Sequence, residues 1–152
     1  MHKEKNKAFS VEYGNITVEL LTEVELFNPA NTNLKFKTTA LWDTGAVISC
    51  ISPGVLEKLL LKPIDSIEIE VVNSTERCDM VLVQVGLPNG IMIPNIKPAV
   101  CHFGPKDVEF IIGMDIIRYG DLMISNSFDK TLFSFCIPPL PRKIDLTKEA
   151  YA

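Results

Sequence analysis

One carboxylate in this chain stands where hydrolytic chemistry needs it. Asp43-Thr44-Gly45 closes the apolar-leaning run Thr39-Ala40-Leu41-Trp42 and is followed by the equally apolar Ala46-Val47-Ile48. A strand that delivers an acid into a tight turn and leaves again as a strand holds that acid rigid, partly desolvated and facing a partner. Two such carboxylates sharing one proton can activate a water for peptide hydrolysis. Asp-Thr-Gly occurs once here, so the pair would have to come from two copies of the chain. An obligate homodimer is the first expectation, and an ordinary Asp-Thr-Gly turn is the bland alternative.

The remaining reactive side chains assemble nothing comparable. Cys50, Cys78, Cys101 and Cys136 are widely spaced, without paired metal-ligand spacing, and read as reduced thiols that are mostly small core residues. Cys101 and His102 are neighbours, but adjacent strand residues point to opposite faces, which makes them a poor thiol and base dyad. His2 falls in an expected tail. Neither a zinc site nor a serine triad follows from this inventory.

The elements that must position Asp43 are mostly strands. Ile16-Thr17-Val18-Glu19-Leu20 and Leu34-Lys35-Phe36-Lys37 alternate apolar with polar and predict half-exposed strands around a turn at 28–33. Ile67-Glu68-Ile69-Glu70-Val71 predicts another, and the run Met80 to Val85 predicts a strand buried on both faces. Pro88-Asn89-Gly90 signals a hairpin, and Asp129-Lys130 separates two last strands. Ser52-Pro53 opens a helix whose Val55, Leu56, Leu59 and Leu60 share a face until Pro63 ends it. A second short helix starts near Asp115, whose carboxylate is expected to cap it.

With 152 residues, 47% hydrophobic and 22% charged, the chain fits one soluble domain over 1–152, with a core at about 8–140 and tails at 1–7 and 141–152. A formal charge of -4 and a pI near 5.2 give no reason to bind nucleic acid or an anionic membrane. Lys3, Lys5 and Lys7 read as a solvated tail patch. No apolar run reaches spanning length and no signal-like segment opens the chain, so the expected compartment is the cytoplasm.

A second motif sharpens the first. Late in the chain, Phe110-Ile111-Ile112-Gly113-Met114-Asp115-Ile116-Ile117 is an apolar strand ending in glycine and then a helical start. Leu41-Trp42-Asp43-Thr44-Gly45-Ala46 together with Ile111-Ile112-Gly113 resembles the retropepsin-like aspartic proteases, most of all their stand-alone bacterial branch. The resemblance implies an all-β, closed acid-protease barrel with one or two short helices, one domain per chain, acting as a homodimer on peptide or protein substrates without metal or other cofactor. It gives Asp43 the catalytic role, with Thr44 fastening the two loops together, Gly45 offering its amide to the carboxylate, and Gly113 leaving room for the loop. By chain order the flap is Asn73-Ser74-Thr75-Glu76-Arg77, which is short, polar and free of glycine, unlike retroviral flaps. That departure keeps open an alternative, a non-catalytic peptide-binding or scaffolding dimer of the same fold.

Ala46 carries a prediction about pH. Pepsin-like enzymes have a hydroxyl residue there that donates to the aspartate, and alanine donates nothing. Cleavage is expected to peak in the mildly acidic range, on the order of pH 5 to 6.5; a pH profile peaking below about 3 would contradict the assignment.

Overall fold

Period-2 alternation becomes sheet wherever one face finds a core. In Thr22-Glu23-Val24-Glu25-Leu26 the side chains of Thr22, Val24 and Leu26 are buried while the glutamates lie outward. The structure is a computed structural model that describes residues 7–103 and 107–151, with the side chain of Val71 left out. His2, Lys3, Lys5 and all but the last residue of the expected tail 1–7 lie outside the described residues.

The strands and helices follow in the order β1 (Lys7–Glu12), β2 (Leu21–Asn28), β3 (Asn31–Trp42), β4 (Cys50–Ile51), α1 (Pro53–Leu59), β5 (Asp65–Val71), β6 (Ser74–Met80), β7 (Val83–Leu87), β8 (Ile91–Ile96), β9 (Ala99–Val100), β10 (Val108–Ile112), α2 (Met114–Ile117), β11 (Asp121–Ser125), β12 (Leu132–Ile137) and α3 (Leu146–Glu149). They form a nine-stranded sheet ordered β5-β6-β9-β4-β10-β3-β2-β7-β8 and a three-stranded sheet ordered β1-β12-β11. The chain is mostly β. No helix among the described residues is long and apolar enough to cross a membrane.

One strand sets the position of the Asp43 loop. β10 runs parallel to β3, with Leu41 opposite Ile111 and Trp42 opposite Ile112, and antiparallel to β4, with Cys50 opposite Ile111. It therefore lies between the strand that enters the Asp43 loop and the strand that leaves it. Phe110 and Ile112 of β10 are fully buried, so this strand is fixed by the core as well as by its ladders.

The small sheet supplies the other support. Phe133 and Phe135 of β12 meet Trp42 at ring-centroid distances of 5.0 and 4.9 Å, and Phe9 of β1 meets Trp42 at 5.9 Å. Tilted and edge-on aromatic pairs of this kind contribute about 0.5–1.5 kcal/mol each beyond their burial. Trp42 Nε1 donates to Thr22 Oγ1 at 2.8 Å, which satisfies both buried polar groups. The residue immediately before Asp43 is thus locked from two sheets.

Several sequence expectations are corrected. Ile16 to Leu20 is a loop with Val18 fully exposed, because its backbone is held at Thr131 instead of in a ladder: Thr17 N donates to Thr131 Oγ1, and Thr131 N to Asn15 O. The buried run from Met80 to Val85 is divided, with Val81 and Leu82 linking β6 to β7. In α1, Val55 and Leu59 are buried, but Leu60 turns outward in a left-handed conformation (φ 51°) that ends the helix. Ser52 occupies the N-cap position, yet its buried hydroxyl makes no cap bond. Lys7 belongs to β1, opposite Ile137, and part of the expected tail 141–152 forms α3, where the Asp145 carboxylate accepts from Thr147 N. The described helices therefore number three, not one or two.

Phe133 is completely buried against Trp42 and Phe9. Phe133→Ala is expected to cost about 3–5 kcal/mol, read as a lowered denaturation midpoint in urea; a change under about 1 kcal/mol would show that the small sheet does not support the Asp43 strand.

Candidate active site

Asp43 is the first residue beyond β3, and its backbone still belongs to the ladder, with Asp43 N donating to Ile112 O at 2.9 Å. The chain then turns sharply. Ala46 N donates to Asp43 O at 3.2 Å, and Gly45 N donates to Asp43 Oδ1 at 2.8 Å. A carboxylate oxygen held by a backbone amide cannot swing freely, so the acid is aimed by the turn that contains it. A Cβ on Gly45 would lie 3.1 Å from the same Oδ1, crowding the oxygen that its amide holds. Asp43 is half-buried, whereas Thr44 and Gly45 are exposed.

The loop returns across the end of β10 in close contact. Met114 N donates to Ala46 O at 2.7 Å and Asp115 N to Val47 O at 3.2 Å. A Cβ at Gly113 would come within 2.8 Å of Ala46 O and of the Ile48 carbonyl carbon. Both are backbone atoms that cannot rotate away, so only glycine permits this crossing.

Ser49 closes the arrangement and was not singled out by the sequence. It is fully buried; its Oγ donates to Asp115 Oδ1 at 2.7 Å and accepts from Gly113 N at 3.0 Å, while Ser49 N donates to the same Oδ1 at 3.0 Å. One side chain therefore ties the end of the Asp43 loop to the glycine and to α2. Its only signal is a hydroxyl in the apolar run from Ala46 to Ile51, where a buried polar group needs a partner. Asp115 is not the helix cap that its sequence position predicts. Gly113 holds the N-cap and Asp115 lies inside α2, its carboxylate engaged by Ser49 and by Ile116 N at 3.1 Å.

No protein-family model and no curated protein sequence matches the chain. Solved structures do. A retropepsin-like aspartic protease from Rickettsia conorii matches with a TM-score of 0.56 at 16% identity, over 90% of this chain and 98% of that one. EIAV protease in complex with the inhibitor HBY-793 matches with a TM-score of 0.52 at 19% identity, over 70% of this chain and 91% of that one.

The chain has a retropepsin-like fold. Within it, Asp43, Thr44, Gly45, Ala46 and Gly113 come together as one loop and its seat. The five flap candidates form no single tip. The β5 and β6 hairpin turns at Val72 and Asn73, with Asn73 in the left-handed region at φ 70° that asparagine tolerates. So tight a turn lets the chain pair again at once, and Ser74, Thr75, Glu76 and Arg77 are paired residues of β6. Arg77 is committed within the hairpin, donating from Nε and Nη2 to Ser66 Oγ at 3.0 and 2.7 Å.

Beside the loop lies a groove of about 720 Å³. Ile48, Met80, Ile93, Arg118 and Tyr119 help to line it, and Asp43 does not. Ile91, Ile93 and Ile96 are buried, and Ile93 and Ile96 also reach the groove wall.

Ser49→Ala removes one of the three donors to Asp115 Oδ1 and the acceptor for Gly113 N, leaving that buried amide unpaired. The expected cost is about 1–3 kcal/mol, measured by chemical denaturation; an unchanged midpoint would show that Ser49 does not hold the loop.

Proposed function

We propose that the chain is a homodimeric aspartic endopeptidase, one retropepsin-like domain over 1–152 in each chain, whose active site pairs the Asp43 carboxylates of two protomers. The observation that carries this reading is the Asp43 turn itself. One carboxylate oxygen is held by the Gly45 amide, the residue before it is buried, and the residues after it face outward. Val47 is 77% exposed, and the Thr44 hydroxyl has no hydrogen-bond partner among the described residues. A single chain offers half of a site.

In the dimer the two carboxylates lie about 3 Å apart, where both cannot ionise, and they share one proton. The ionised member takes a proton from a water held between them. That water attacks the scissile carbonyl, while the protonated member hydrogen-bonds to the carbonyl oxygen. The roles reverse as the amine leaves. Thr44 pairs with the opposite loop, and the substrate is an extended peptide with apolar residues beside the scissile bond.

The hairpin supports a second reading. Its tip is a two-residue turn without glycine, and closure over substrate is a common requirement for turnover. A peptide-binding or scaffolding dimer would need the fold and not the acid.

Cleavage of a diverse peptide library by the wild type and by Asp43→Asn separates these. The variant is expected to lose activity on the order of 10³-fold or more with its dimer mass unchanged. Retained cleavage in the variant would contradict the mechanism. A wild-type dimer that binds peptides and cuts none would support the scaffold instead.

A further inference from the structure

Three thiols far apart in sequence converge at the base of the hairpin. In the large sheet β6, β9 and β4 are consecutive neighbours, and they bring together Cys78 on β6, Cys101 just beyond β9, and Cys50 on β4. Met80 pairs with Ala99 in antiparallel register, so two residues further along each strand Cys78 comes opposite Cys101. Their sulfurs are 3.8 Å apart. Cys101 N donates to Ile51 O at 3.1 Å, which fixes the Cys101 backbone, and its side chain is half-buried beside the more deeply buried Cys78.

The ladder that joins the hairpin to the rest of the sheet is short. β5 lies at the sheet's end, and β6 meets β9 at the single register pair Met80 and Ala99. A covalent link two register positions beyond that ladder would therefore fall where the hairpin is held most weakly.

We propose that Cys78 and Cys101 form a reversible disulfide that clamps the base of the β5 and β6 hairpin to β9, in response to a hydroperoxide. Opposed cross-strand residues bring their Cα atoms within the roughly 4.4–6.8 Å that a disulfide spans, and side-chain rotation closes the sulfur gap to the bond length of about 2.05 Å. The half-buried Cys101 thiol meets the peroxide first: its sulfur takes one oxygen to become a sulfenic acid, and one water leaves. The Cys78 sulfur then attacks the Cys101 sulfur, the disulfide forms, and the hydroxyl departs as a second water. Two thiols and one hydrogen peroxide thus give one disulfide and two waters.

Burial, and after it the neighbouring thiol Cys50, push the Cys101 thiol well above its usual range. Little thiolate is present at neutral pH, so the reaction is slow, and a dithiol whose thiolate is not stabilised favours the disulfide once it has formed. Cys50 is the competing partner. A link from Cys50 to Cys101 would only join β4 and β9, which already pair at Cys50 and Ala99 and at Ile51 and Val100. The Cys50 thiol also points to Ile48 O at 3.8 Å.

Neither the disulfide nor the clamp rests on the protease reading. The full chain is treated with hydrogen peroxide, alkylated and mapped by peptide mass, with and without dithiothreitol, and hydrogen exchange over 74–80 is compared between the two forms. The expected result is a dithiothreitol-reversible cross-link between Cys78 and Cys101, present in Cys50→Ser and absent in Cys78→Ser, with slower exchange in the oxidised hairpin. A cross-link from Cys101 to Cys50, or sulfinic acid at Cys101 with Cys78 still a thiol, would overturn the proposal. Unchanged exchange in the cross-linked form would overturn the clamp. Absence of peptide cleavage would sink the protease reading and leave these results standing.

Discussion

The parallel pairing of β3 with β10 is the contact on which the rest of the site depends. Because β10 lies between β3 and β4, the loop from Asp43 to Ser49 has to cross the end of β10 to get from one neighbour to the other. That crossing brings Ala46 and Ile48 against Gly113 at a distance no Cβ could tolerate. The close approach then makes possible the short bonds from Met114 N to Ala46 O and from Gly113 N to Ser49 Oγ. Position is transmitted from core to carboxylate through backbone: buried Ile112 fixes β10, its carbonyl accepts from Asp43 N, and the turn built on Asp43 aims the acid.

A rigid frame open at its centre is what the proposed two-chain site requires. Trp42 is clamped by aromatic rings from the small sheet and by Thr22, while the two residues after Asp43 lie in the open. Ordering costs are therefore met within each chain, and association would have to supply only the second acid and the pairing of the loops. The hairpin is built differently. Its outer strand has one neighbour and its inner strand is tied to the sheet by a short ladder, the construction expected of an element with low local stability.

The sequence made the centre legible because close packing and turn chemistry leave type-specific marks. Asp43-Thr44-Gly45 and Ile111-Ile112-Gly113 were visible as apolar strands ending in glycine, and the structure seats one on the other. What could not be read was the partner of each polar group across the fold. Ser49 looks like any hydroxyl in an apolar run, and Asp115 like a helix cap, until β10 brings them within 2.7 Å. Ile16 to Leu20 has the alternation of a strand, but Thr17 N donates to the Thr131 hydroxyl and Glu19 N to the Thr17 hydroxyl, and the alternation does not encode that. The same holds for Cys50, Cys78 and Cys101, whose convergence is a property of strand order. The extent of the hairpin tip escapes the sequence for a local reason: Asn73 closes the hairpin in two residues, and the four residues after it pair.

The central claim is that each working site takes one Asp43 from each of two chains, and subunit mixing tests it most directly. Wild type and Asp43→Asn are mixed in varying proportion, allowed to exchange subunits, and assayed for peptide cleavage at constant total protein. If the site is shared, activity falls as the square of the wild-type fraction, because only dimers with two intact aspartates turn over. A linear fall would mean that each chain carries a complete site of its own, and would contradict the shared-site mechanism.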